Sequence, residues 1–154
     1  GQSREGVEEG ARMSRVLPPD IALWCCKRLR GEFATLVPGL QVDIRLPDSY
    51  RGEYPLIVVR DDGGTQSARI LFDRSIGVTV YRGHIDNPYP CRQLAELVYG
   101  SLTDPDIPHE PDSPVAAIDD GGCNGPYPIS GDFDAAIHYM TVSYVTVGTI
   151  IDQK

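Results

Sequence analysis

The chain has 154 residues, of which 41% are hydrophobic and 23% charged, a length and composition that fit one domain with its own core. Its formal net charge of −8 is unevenly placed: residues 93–153 carry ten acids and no Lys or Arg, while residues 1–92 carry twelve acids against twelve Arg and one Lys. A surface built from the acidic part repels phosphate backbones and argues against sequence-specific nucleic-acid binding.

Residues 1–16 show no periodicity and read as a mobile N-terminal arm before a single domain over 17–154. They hold no apolar signal core, and the chain has no run of about 18 apolar residues, so the expected setting is a cytoplasm or a particle assembled there, without membrane. Leu17-Pro18-Pro19 breaks the chain, and Asp20 can cap a helix. Ile21, Trp24, Cys25, Leu29, Phe33 and Leu36 then recur at three- and four-residue steps, with Lys27, Arg28, Arg30 and Glu32 on the other side, until Pro38-Gly39. Leu40, Val42, Ile44 and Leu46 alternate with polar residues and predict a strand. Leu56-Ile57-Val58-Val59 predicts a strand buried on both faces, and Asp61-Asp62-Gly63-Gly64 a turn.

Ala68 to Arg82 reads as one long strand that Gly77 bends. After a Pro-rich connection, Cys91, Leu94, Ala95, Val98 and Leu102 predict a second amphipathic helix. Residues 103–114 hold four prolines and four acids and predict irregular chain. Val115 to Ile118 is a short strand candidate, Asp119 to Gly122 a turn, and Gly125 to Gly131 a loop. Ala135 to Ile151, rich in Thr, Val, Tyr and Ile on both parities, predicts a long strand that crosses the sheet centre or is covered by another subunit. The fold class expected is α+β: a small mixed or antiparallel sheet with two amphipathic helices packed on it.

Chemistry-bearing residues are few. Cys25, Cys26, Cys91 and Cys123 lack metal-ligand spacing, and buried apolar roles fit them better than a metal set or disulfides. A nucleophilic site would need Cys123 or Cys91 beside His84, His109 or His138, yet no strand–turn–helix context surrounds either cysteine. Asp104, Asp106, Glu110 and Asp112 form a loose acidic group that fits a solvated loop better than a calcium site. No cofactor, metal or catalytic residue is expected, and a small Cys/His-dependent hydrolase is the reading from another class.

The order of elements resembles the tail terminator proteins of long-tailed, siphovirus-type bacteriophages. The resemblance covers about residues 17–151. It is carried by Leu17 to Leu36, by Val42-Asp43-Ile44-Arg45-Leu46-Pro47 with Pro55-Leu56-Ile57-Val58-Val59, by Val78-Thr79-Val80-Tyr81 running into a helix over Asp86 to Leu102, and by Tyr139 to Thr149. It implies a virion protein without catalytic residues that forms a homohexameric ring, caps the head-proximal end of the tail tube, and joins it to the connector or stopper proteins of the neck. The partners implied are copies of itself, the major tail tube protein and the head–tail connector, with DNA passing through unbound. A head-closure or head–tail completion protein of the same neck region is the nearest alternative. Twelve Arg to two Lys fits a GC-rich genome, as in actinobacterial phages.

An acidic wall would let DNA pass a ring, because each cationic contact adds salt-dependent attraction to phosphate. The acids expected to face such a channel are Asp104, Asp106, Asp112, Asp119, Asp120, Asp132 and Asp134.

Overall fold

The computed structural model describes residues 14–152. The fold is α+β, with two helices on a mixed sheet. Among the described residues nine strands occur in chain order: β1 (Ser14–Leu17), β2 (Gln41–Asp43), β3 (Leu56–Asp61), β4 (Gln66–Ala68), β5 (Leu71–His84), β6 (Val115–Ile118), β7 (Asn124–Ile129), β8 (Ala135–Val147) and β9 (Thr149–Asp152). The helices are α1 (Ile21–Phe33) and α2 (Tyr89–Leu102).

The main sheet runs β2-β3-β5-β8-β6, with β4 added beside β5 and β7 beside β8. Only β2 and β3 are parallel. β5 and β8 pair along most of their length, from Leu71↔Val147 to His84↔Ala135, and form the spine of the domain. The other edge of β8 is shared: β7 pairs with its first half and β6 with its last residues.

Both helices lie on one face of this sheet. α1 starts where the Asp20 carboxylate accepts a hydrogen bond from the Leu23 N–H at 3.0 Å, satisfying one orphan donor of the first turn. Its buried stripe is Ile21, Cys25, Cys26, Leu29 and Phe33. α2 buries Cys91, Leu94, Ala95, Val98 and Leu102. Between them and the sheet, Ile57, Val59, Ile76, Val78, Val80, Met140, Val142 and Tyr144 complete one core. Each such aliphatic burial stabilises the fold by about 1.5–3 kcal/mol relative to exposure.

Several expectations needed correction. The first helix stops at Phe33: the chain turns through residues 34–37, so Val37 dips into the core while Leu36 is 65% exposed. The predicted strand over residues 40–46 shrinks to Gln41–Asp43, leaving Ile44 and Leu46 exposed. Periodicity misled there because residues 44–55 must cross from β2 to the parallel strand β3, and a parallel pairing needs a long crossover. The long strand begins at Leu71, and Gln66–Ala68 turns back on it as β4. The strand stays paired on both sides through Gly77. The loop expected over residues 125–131 is largely strand β7. The closing strand is broken at Gly148, where a Cβ would sit 2.6 Å from Phe72 and 2.7 Å from Val16. The remainder, β9, leaves the main sheet and pairs antiparallel with β1 in a separate two-stranded ribbon. The expected N-terminal arm therefore ends in strand at residues 14–16, and residues 1–13 of that expectation lie outside the described residues.

Candidate functional site

The face of the sheet away from the helices is closed at one end only. There the crossover of residues 44–55 brings Tyr50 and Tyr54 over Leu56, Tyr81, Phe133 and Ile137, a second small cluster. Tyr50 lies edge-on to Tyr54, Tyr81 and Phe133 with ring centroids 4.9–5.5 Å apart, and its hydroxyl donates to the Tyr54 carbonyl at 2.6 Å. Beyond this cluster the face is open. Val58, Thr79, Tyr139, Thr141, Ser143, Val145 and Val147 are half-buried along it.

The middle of the open face carries a polar and aromatic stripe. The Arg60 guanidinium donates to the Asp62 carboxylate at 2.5 Å and to the Tyr139 hydroxyl at 3.1 Å. Tyr127 meets Tyr139 edge-on at 5.9 Å. Gly77 makes this possible: a Cβ at that position would stand 2.4 Å from the Tyr139 oxygen. The ribbon of β1 and β9 adds exposed apolar side chains, with Leu17 at 47%, Ile150 at 60% and Ile151 at 37%.

The seven acids assigned to a channel fall in three places. Asp104, Asp106 and Asp112 belong to the connection after α2, Asp119 and Asp120 lie beside Ser143, and Asp132 and Asp134 precede β8. Asp119 N–H donates to the Ser143 carbonyl at 2.8 Å, whereas Ala135 begins β8. The eight-residue offset separates these last two groups by roughly 26 Å along the strand. All seven are exposed except Asp104, which is half-buried.

Sequence reasoning placed Arg28 on the solvent side of α1 and missed its role. Its side chain is 12% exposed. The guanidinium donates to both oxygens of Glu110 at 2.8 and 2.9 Å, and its Nε reaches the Ser101 carbonyl and hydroxyl at 3.1 and 3.2 Å. Asp104 and Glu32 lie 3.8 and 3.6 Å away, and the cation covers the Trp24 ring at 5.6 Å. The acidic connection after α2 is thus clasped to α1 by one forked cation rather than solvated throughout. The available signal was the spacing of Trp24 and Arg28, one turn apart, ahead of a segment with acids and no base.

Cys91 lies beside the backbone of His138, but no cysteine side chain among the described residues is bonded to a histidine side chain. Cys25, Cys26 and Cys91 are buried, and Cys123 is half-buried. Burial pushes the Cys91 thiol up to about 11, and Cys91 Sγ donates to the Val80 carbonyl at 3.2 Å. Burial likewise raises the Cys123 thiol, which weakens it as a nucleophile. Its neighbours are the Asp119 carbonyl and the Ser143 N–H, both at 3.4 Å. No hydrogen bond among the described residues joins a cysteine to a histidine side chain. His84 lies 3.4 Å from Asp86 and is exposed. Among the described residues no group of three or more His, Cys, Asp or Glu side chains is placed to hold a metal ion, and no helix is long and apolar enough to cross a membrane.

A cleft of about 500 Å³ opens between the start of α2 and β7, lined by Pro88, Tyr89, Arg92, Glu96, Pro126, Pro128 and His138. His138 is 5% exposed, and its Nδ1 is sealed without a hydrogen-bond partner. Burial, then the Arg92 charge, lowers the imidazole pKa from its ordinary value, which favours the neutral ring. No family model matches the chain, and no curated protein matches it.

Proposed function

We propose that this chain is a tail terminator of a long-tailed bacteriophage, a subunit of a homohexameric ring that caps the head-proximal end of the tail tube and meets the neck connector. The observation that carries the reading is the incompletely covered sheet: helices close one face, while the other face and the terminal ribbon keep apolar side chains in water. A two-stranded ribbon is marginal alone. Leu17, Ile150 and Ile151 gain burial when a neighbouring subunit covers them, and such side chains contribute most to association when packed and desolvated. The order of elements, which resembles that family, supplies the specific identity. The acids exposed after α2 and around Asp119 and Asp120 fit a particle through which DNA passes without sticking.

Mass in solution and negative-stain imaging test this together. The expected particle is a closed six-membered ring that binds the end of purified tail tubes. Ile150→Asp, at a 60% exposed position, should leave the monomer folded and disperse the ring. A chain that stays monomeric even beside tail tubes overturns the reading. Binding to the head connector with no affinity for tubes would instead identify a head-closure protein.

A further inference from the structure

We propose that the cleft between the first turns of α2 and strand β7 is a binding site for a neutral, ring-bearing amide, with His138 as the hydrogen-bond donor at its floor. The volume, about 500 Å³, is that of a small-ligand site. Its walls are the faces of Pro88, Pro126, Pro128 and Tyr89, which offer flat apolar surface to a ring.

The polar groups select the rest of the ligand. A neutral imidazole carries one proton. On the sealed Nδ1 that proton would be a buried donor without an acceptor, the costlier of the two arrangements. The proton therefore sits on Nε2, the ring nitrogen not so sealed, and since His138 lines the cleft it can donate there to a carbonyl. The backbone N–H of Arg92 is already used, bonded to the Pro88 carbonyl at 3.0 Å.

At the rim, Arg92 and Glu96 face each other at 3.8 Å, and both side chains are more than half exposed. The rim is thus balanced in charge, which disfavours an anion or a cation. It offers one further donor, the guanidinium, and one acceptor, the carboxylate. An amide matches all three: its oxygen accepts from His138 and Arg92, and its N–H donates to Glu96. A carboxylate of the same shape would meet Glu96 as a like charge. The inference stands apart from the ring proposal, since none of these residues belongs to the open face or the ribbon.

N-acetylphenylalaninamide is the probe, titrated into the isotope-labelled full chain and followed by amide and imidazole chemical shifts. Saturable shifts are expected at Tyr89, Arg92, Glu96 and His138, with N-acetylphenylalanine as the free acid binding at least several-fold more weakly. His138→Phe fills the same space without a donor and should weaken binding about tenfold, the loss of one buried hydrogen bond. Arg92→Ala and Glu96→Ala change exposed residues, so they report on the rim even if the Phe variant misfolds, and each should weaken binding several-fold. Absence of saturable shifts up to the solubility limit, or unchanged affinity in the rim variants and in a folded His138→Phe protein, overturns the proposal.

Discussion

Arg28 holds together parts of the chain that local sequence does not connect. Its fork grips Glu110 across 82 residues and Ser101 across 73. Charge-assisted, bidentate pairs of this kind are about twice as strong as neutral hydrogen bonds, and the low exposure of the guanidinium limits screening. Arg28→Ala should cost about 2 kcal/mol in urea unfolding. Arg28→Lys should recover only part of it, because an ammonium cannot reproduce the fork. Equal stability of wild type and the Ala variant would show that the acidic connection is held by its other contacts.

Tyr144 is the second such residue. Fully buried, it donates its hydroxyl to the Leu102 carbonyl at the end of α2 and lies edge-on to Trp24 at 6.1 Å. Tyr144→Phe leaves that carbonyl unpaired and should lower stability by about 1–3 kcal/mol, read as a drop in melting temperature with the amide spectrum otherwise intact. His138 makes a prediction of opposite chemistry. Its folded pKa is depressed, so between the folded value and the ordinary 6.5 the unfolded chain binds more protons. The stability contribution is complete above 6.5 and is lost as pH falls below it. Wild type should therefore destabilise more steeply than His138→Phe as pH falls below 6.5. Parallel stability curves would show that the imidazole titrates alike in both states.

At the scale of elements, the crossover of residues 44–55 is decisive for the open face. It has no strand or helix of its own, and Tyr50 anchors it by three ring contacts. Tyr50→Ala should cost about 3–5 kcal/mol, as for other buried aromatics. It should also loosen residues 44–55 in hydrogen exchange before the β5–β8 spine opens. Exchange that rises everywhere at once would mean the crossover and the main core form one cooperative unit. The two helices were legible because each repeats apolar residues every three or four positions against a polar face. β2 was overextended because Ile44 and Leu46 keep the right parity while the chain has already left the sheet. β7 was missed because Gly125, Pro126 and Pro128 are turn residues by composition. It survives on the edge of β8 because Pro lacks only the donor that an edge position can forgo.

For the whole molecule, the distribution of charge decides how copies can meet. Bringing six acidic subunits together is opposed most at low salt, since the Debye length falls from about 30 Å at 0.01 M to about 10 Å at 0.1 M ionic strength. The proposed ring assembly, with Leu17, Ile150 and Ile151 as its apolar contacts, should therefore strengthen as salt rises from low values, measured by sedimentation. Asp119→Lys with Asp120→Lys should leave the subunit folded, because both side chains are exposed, and should make the proposed ring retain DNA. Rings of the double variant that still shed DNA would place these acids away from the channel.

Much was settled by the order of residues alone: the α+β class, both helices and most of their buried stripes, the Asp20 cap, the apolar strands β3 and β5, and the acidity of the C-terminal part. These follow from local periodicity and composition, which act over a few neighbours along the chain. What the tertiary structure decided is everything that depends on distant segments meeting. It split the last strand at Gly148, where Phe72 and Val16 approach the backbone too closely for a side chain. It joined the two ends of the domain in one ribbon. It dispersed the seven acids among three sites, turned Arg28 inward to the acidic connection, and left the Nδ1 of His138 without a hydrogen-bond partner beside a cleft. Spacing carries no information about such encounters, because a contact between residues 28 and 110 is set by how the sheet and helices stack, not by what lies between them.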